Sequence, residues 1–471
     1  MNLVEWIDTN QETFIGLSDS LWSFAELGFR EVRSSRLLID VLEKEGFTLE
    51  KGVAGIPTAF VAGYTKGAGP VIGILGEYDA LPGLSQDCVP YKKPLVPGAP
   101  GHGCGHNLLG VAGIASCFAL KQLLDAGEIK GTVRYYGCPA EEGGAAKAFM
   151  AKAGLFDDVD ICLTWHPDSF NATLWANFLA SYRVAFKFHG KPAHAAADPY
   201  NGRSALDAVE LMNVGANYLR EHMIPGGRLH YVITDGGGTA PNVVPAEAAS
   251  LYFVRAPRLD QLNPLFERLQ DVARGASLMT GTELEIDLQS GMSNMLLNET
   301  INNVMQKCLE AVGAPKFSSE DIAFAGEISK SIPSNSLEES AASYGLDAAA
   351  IAALKGRVLH ESVLPSYRSE IVQPGSTDVG DVSWVVPTGQ VVTACMALGT
   401  PGHSWQTVAQ GRMGIGHKGM LTAAGVMALS ALEFMRSPEL VSQAQAEFKK
   451  LRLASEYVSP IPDGLKPPQD T

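Results

Sequence analysis

Along the first 180 residues, stretches of helical hydrophobic spacing alternate with short apolar runs. Apolar residues recur at helical intervals over 9–27 and 32–45, the second stretch closed by Gly46, and both are predicted helices. Strands are predicted at 59–64, 71–75, 132–136 and 161–165. The last three are short and almost wholly apolar, the pattern of strands buried on both faces of a mainly parallel sheet. Residues 108–120 (LLGVAGIASCFAL) form the longest apolar run, ended by Lys121. That run is too short to cross a bilayer and reads as a buried helix.

The pattern changes near Ser181. Tyr182, Val184, Phe186 and Phe188 alternate with Arg183, Ala185, Lys187 and His189, a period-two strand with one wet face. A helix at 203–219, strands at 229–234 and 248–254, a helix at 259–276 and a strand at 283–288 follow. The order β-α-β-β-α-β is a split βαβ unit that can build its own two-layer domain. From Asn294 the helix–strand alternation resumes. The fold class expected is therefore α/β. A mainly parallel-sheet catalytic domain in two segments, 1–180 and 293–471, receives a ferredoxin-like unit at 181–292. Residues 317–375 mix a helix-like stretch at 336–355 with polar linkers and fit neither layer; the Pro-rich 460–471 read as a loose end.

Charge and cysteine usage narrow the function. Lys plus Arg number 36 against 51 Asp plus Glu, a net charge of −15. So acidic a surface repels phosphate backbones and anionic lipid, so neither nucleic acid nor membrane is expected as a partner. A local cationic pocket for a small anion is still compatible with it. The N-terminal residues show neither a basic nor an apolar leader segment, and seven scattered cysteines argue against a disulfide framework. A reducing, cytoplasmic setting is expected.

Ligand-type residues cluster just past the predicted strands. Glu77 and Asp79 (GEYDALPG) follow the second, Glu141 and Glu142 (CPAEEGG) the third, His166 (WHP) the fourth, and His403 (GTPGHSW) the apolar stretch 391–398. Open α/β sheets bind ligands beyond the carboxyl ends of their strands. The segment GHGCGHNLLG adds His102, Cys104 and His106 on a glycine-rich loop feeding the buried helix. Thiolate and imidazole suit Zn and similar ions, and carboxylates extend the range to Mn. Cys117, Cys138, Cys162, Cys308 and Cys395 read as small buried hydrophobes. His222, His230 and His360 read as surface residues, and Asp157, Asp158 and Asp160 as a solvated acidic run.

Taken in order, GEYDALPG, GHGCGHN, EEGG, WHP, GKPAHAA, PNVVP and GTPGHSW resemble the aminoacylase/carboxypeptidase superfamily of co-catalytic metallopeptidases, and CGH its amidohydrolase branch. The resemblance runs nearly end to end and includes STDVGDVSW at 376–384; Asn107 departs from it, standing where many members carry Asp. It implies two divalent ions, Mn²⁺ or Zn²⁺. Cys104 would bridge them, Glu142 and His403 completing one site, His106 and His166 the other. It further implies Glu141 as general base, Asp79 as the carboxylate that orients a ligand, and His102 as structural. His194 and Asn242 would reach the reaction from the inserted unit, on closure or from a second subunit, and Arg255 would clamp a substrate carboxylate. The reaction implied is hydrolysis of an N-aroyl or N-acyl amino acid, with p-aminobenzoyl-glutamate the first candidate and indole-acetyl-aspartate the alternative. Dimerisation through the inserted unit, or pairing with a homologous A subunit, is expected. The reading from another class is a low-activity subunit of a hetero-oligomer.

Overall fold

The computed structural model describes residues 1–369, 372–454 and 457–468. Eleven strands occur among them: β1 (Thr48–Lys51), β2 (Phe60–Lys66), β3 (Val71–Glu77), β4 (Gly131–Cys138), β5 (Ile161–Asp168), β6 (Ala172–Thr173), β7 (Ala180–His189), β8 (Arg228–Asp235), β9 (Glu247–Ala256), β10 (Glu283–Met292) and β11 (Thr388–Ala394). Seven build one sheet in the order β1-β2-β4-β3-β5-β11-β6. Its centre, β4-β3-β5-β11, is parallel, with antiparallel strands at both margins.

The apolar runs explain the layering. Ile72, Ile74, Val133, Tyr135, Leu163 and Trp165 point to one face, into a core shared with helices His106–Asp125, Glu299–Val312 and Gly414–Arg436. Leu75, Tyr136, Cys138 and Cys162 point to the other, against helices Ala146–Lys152 and Val379–Val385. Both faces are thus covered, as a parallel sheet requires. Residues 106–120 of the first helix are all buried, which accounts for its uniform apolarity. The four parallel strands end at one edge, and that edge carries the ligand-type residues.

The other four strands form an antiparallel sheet, β10-β7-β9-β8. Helices Ala205–Leu219 and Leu259–Thr280 cover one face, meeting Tyr182, Val184, Phe186 and Phe188 in a separate core. The unit touches the larger one beside the site, where the Ser290 hydroxyl donates to the Gly143 carbonyl at 2.9 Å.

Three expectations change. The stretch 336–355 is two helices, Ser336–Ser343 and Ala348–Leu354, separated where Gly345 takes φ +71° and Asp347 caps the second helix by accepting from Ala350 N at 2.8 Å. Together with Phe170, Ala172, Val392 and Leu398 they close a small core at the β11–β6 margin. His360 is not a surface residue: it is buried edge-on against Phe170, its Nδ1 3.3 Å from the Asn171 amide, and burial lowers its pKa to about 4. The chain end is not loose at its start: Ile461 is buried, and its carbonyl accepts from Lys152 at 2.7 Å. Residues 469–471 of that tail lie outside the described residues.

Candidate active site

At the carboxyl edge of the parallel strands, three donor groups converge. Cys104, His106 and His166 form one; Cys104, Glu142 and His403 a second; Glu77, His106 and Glu141 a third. Within each, the potential ligand atoms lie within 4.8 Å of one another.

The loop before the helix His106–Asp125 sets the first group. Gly105 adopts φ +77°, and a Cβ there would meet the Pro167 ring at 3.0 Å, so only glycine turns the chain tightly enough to place Cys104 over His166. Cys104 Sγ lies 3.2 Å from His166 Nε2, and His166 Nδ1 faces the Pro167 carbonyl at 2.8 Å. His106 Nδ1 is 2.9 Å from Asp79 Oδ1, which leaves Nε2 as the free ring nitrogen. That Nε2 is buried and has no well-formed hydrogen bond among the described residues, although Glu77 Oε2 lies 3.2 Å away. The other Asp79 oxygen accepts from Glu142 N at 2.9 Å, so one carboxylate orients both a histidine and the glutamate pair. Glu142 Oε2 stands 3.2 Å from His403 Nε2, while its Oε1 is buried without a partner. His403 sits at φ +53° and donates its N–H to the Gly103 carbonyl at 3.0 Å, locking it against the cysteine loop.

The electrostatics of the cluster follow from burial. Burial drives Glu141 well above the usual carboxylate range, and Glu77, Glu142 and Asp378 add to the rise. Burial likewise pushes Glu142 up to about 7. The Cys104 thiol is raised by burial and by Glu142, while burial lowers His166 and His403. So many acidic and imidazole donors converging, two with buried atoms left unpaired among the described residues, fit divalent cations, which would stabilise the carboxylates and the thiolate and bind the neutral imidazoles.

Arg255 reaches the same cleft, a cavity of about 530 Å³ that also takes in Cys104, Glu141, Glu142, His166 and His403. It donates to Ser376 Oγ at 2.8 Å and packs over Phe253, and its buried Nε has no partner. His194 and Asn242 are brought together with each other and not to this cleft. Ala195 N, next to His194, donates to the Asn242 carbonyl at 2.9 Å, and both residues are exposed on the inserted unit. His102 is buried, 3.0 Å from the Leu21 carbonyl, so it ties the cysteine loop to the helix Gln11–Phe24. Asn107 points away from the cluster, donating to Ser18 Oγ and the Gly411 carbonyl.

Sequence reasoning missed the groups behind the site. Buried Glu31 accepts from Ala140 N at 2.8 Å, Phe29 N at 3.0 Å and Thr58 Oγ1 at 3.0 Å. It thereby holds Ala140, at φ +52°, immediately before Glu141. Lys147 is fully buried between Glu77, at 2.7 Å, and Asp378. A lysine set among Ala146, Ala148, Phe149 and Met150 was the available signal, because a buried lysine is rare unless it is paired.

The sequence profile of Peptidase family M20/M25/M40 matches residues 73–410, a span that holds every residue of the donor cluster. The chain belongs to this family. It is 43% identical over 467 residues to the B subunit of the p-aminobenzoyl-glutamate hydrolase of Escherichia coli (strain K12), covering 98% of this chain and 97% of that protein. It is 30% identical over 459 residues to the Xaa-Arg dipeptidase of Mus musculus, covering 94% of this chain and 91% of the relative. A solved dinuclear metal-binding M20 peptidase from Bacillus subtilis superposes with a TM-score of 0.56 at 19% identity, covering 91% of this chain and 99% of that one. That likeness carries the fold. Within this M20 fold, the donor cluster occupies the carboxyl edge of the parallel strands.

Proposed function

We propose that this M20 family member is a dinuclear metal-dependent amidohydrolase acting on N-aroyl or N-acyl amino acids, with p-aminobenzoyl-glutamate as first substrate. The carrying observation is that Cys104, His106, Glu142, His166 and His403 converge, with Glu141 beside them and Arg255 in the same cleft. The near full-length likeness to one component of a p-aminobenzoyl-glutamate hydrolase supports the substrate. Cys104, Glu142 and His403 would hold one ion, and Cys104, His106 and His166 the other. When bound, a pair of Mn²⁺ or Zn²⁺ ions polarises the scissile carbonyl and lowers the pKa of water from 15.7 toward ~7.

The chain's own residues do the rest. Glu141, whose acidity is suppressed by burial and by Glu77, Glu142 and Asp378, is a strong proton acceptor once the cluster's negative charge is offset. It takes the proton from the attacking water and passes it to the leaving amine, so one group serves both steps. Asp79 fixes the His106 ring with Nε2 facing the cluster. Arg255 grips the α-carboxylate of the amino-acid half through paired N–H donors. His194 and Asn242 supply donors to the tetrahedral oxyanion when the inserted unit closes or from a second subunit.

A homodimer, or a pair with a homologous A subunit, is the assembly proposed, and the cytoplasm the compartment. The test is hydrolysis of p-aminobenzoyl-glutamate by the purified chain alone, stripped of metal and reloaded with Mn²⁺ or Zn²⁺. Metal-restored release of glutamate is expected. No release with either ion, despite full loading, would overturn the proposal of a self-sufficient hydrolase for this substrate.

A further inference from the structure

The cleft that holds the donor cluster is also lined by Arg255, Ser376 and Ser181, with Phe253 under the Arg255 guanidinium. Leu174, Val392 and Tyr344 line the same cleft, together with Ser340 and Ser343. The first three also belong to the small core at the β11–β6 margin. Tyr344 comes from the segment that the sequence left without a place, directly after the helix Ser336–Ser343. Its ring packs on Phe170 with centroids 5.2 Å apart. Its hydroxyl donates to Asp168 Oδ2 at 2.7 Å, and Asp168 lies two residues beyond His166 on β5. The other Asp168 oxygen accepts from Ser169 N and from Phe170 N at 3.0 Å. The side chain is therefore fixed from two directions beside a proposed metal ligand, and it borders the cavity.

We infer that residues 336–345 build the acyl-recognition wall of the cleft, and that Tyr344, with Leu174 and Val392, selects substrates with an aromatic acyl group. The inference rests on the proposed reaction. With the amide at the donor cluster and the carboxylate at Arg255, the acyl group takes the rest of the cleft, which Tyr344, Leu174 and Val392 line. A flat aromatic ring fills an apolar wall of this kind, whereas an acetyl group is too small to reach across it. Aromatic pairs gain stability beyond the area they bury. Loss of the Tyr344 ring also removes buried apolar surface from the bound ring. The expected penalty is therefore about tenfold or more in discrimination.

The experiment compares kcat/KM for p-aminobenzoyl-glutamate and N-acetyl-glutamate in wild type, Tyr344→Phe, Tyr344→Ala and Leu174→Ala. Tyr344→Ala and Leu174→Ala should each lower the aroyl-to-acetyl ratio about tenfold, chiefly by raising KM for the aroyl substrate. Tyr344→Phe should keep the ratio. Equal losses on both substrates would overturn the inference, because they would mean that Tyr344 acts only by supporting Asp168 and His166. An unchanged ratio would overturn it too. Equilibrium binding of p-aminobenzamide, the uncharged acyl half, separates this inference from the reaction itself. Wild type and Arg255→Ala should bind it alike and Tyr344→Ala about tenfold more weakly, whether or not either glutamate conjugate is cleaved. Absence of binding to wild type, or equal binding to Tyr344→Ala, would refute the wall.

Discussion

Replacing Lys147 by Met tests how the donor cluster is supported from below. Lys147 is inaccessible to solvent, and so are the two carboxylates it touches, Glu77 and Asp378. Glu77 stays ionised because, although burial opposes it, Lys147 and His106 hold its pKa below the ordinary carboxylate value. Methionine matches the volume and removes the charge, stranding two buried carboxylates. Breaking a buried pair in this way costs about 3–5 kcal/mol. Unfolding entropy of ~2.1 cal/mol/K per residue over the about 360 residues outside the four-stranded unit converts this to a Tm loss of about 4–7 °C.

The pH dependence of that loss has a definite sign. In wild type the depressed Glu77 pKa contributes stability that is present above the unfolded value and is lost as pH falls. In Lys147→Met both carboxylates shift above their unfolded values, so the native state holds protons that the unfolded chain has released. The variant is then least stable, relative to wild type, at high pH, and the gap narrows as pH falls toward 5. Thermal melts of metal-free protein at pH 8 and pH 5.5 measure it. A loss below about 1 kcal/mol at pH 8, or an equal loss at both values, would show that Lys147 does not hold the two carboxylates ionised. The double variant Lys147→Met/Asp378→Asn should recover part of the loss at pH 8.

Three further outcomes are expected. Cys104→Ala should weaken metal loading and lower the number of ions retained on dialysis; unchanged stoichiometry by elemental analysis would argue against a bridging thiolate. Arg255→Ala should raise KM for substrates bearing an α-carboxylate by about tenfold or more, the scale of a charge-assisted hydrogen bond. Steady-state kinetics on the corresponding amides should show little change, and an equal loss on them would remove the clamp. Glu31→Ala should lower kcat with little effect on KM. It strands the Ala140 and Phe29 N–H groups and frees the segment before Glu141, and a misplacement of about 1 Å can cost 10²-fold. Wild-type kcat in a folded Glu31→Ala protein would show that the Ala140 turn holds itself.

The layered α/β architecture was legible because its signals are local. The apolar runs at 71–75, 132–136 and 161–165 seed β3, β4 and β5, each observed strand extending two or three residues further toward the site. Cys104, His106, Glu142, His166 and His403 were legible because glycine- and proline-rich turns beyond apolar strands mark the carboxyl edge of such a sheet. Glu31, Lys147 and Asp378 were not, since the partners that fix them, Phe29 apart, are 27 to 231 residues away in sequence. A carboxylate that accepts from a distant backbone N–H leaves no periodic trace. His360 misled for the related reason that a polar neighbourhood in sequence can fold beneath an aromatic ring. Residues 317–375 were opaque because short helices at a sheet margin bury only a few side chains each.

In the proposed mechanism, two cations and Glu141 together make the catalyst. Its most direct test titrates Mn²⁺ or Zn²⁺ into metal-free wild type and Glu141→Gln while following both bound metal and glutamate release from p-aminobenzoyl-glutamate. Wild-type activity should rise to a plateau at two ions per chain. Glu141→Gln should take up the same two ions with turnover reduced by about 10²–10⁴. Activity in the metal-free chain, a plateau at a single ion, or full turnover in Glu141→Gln would contradict the account.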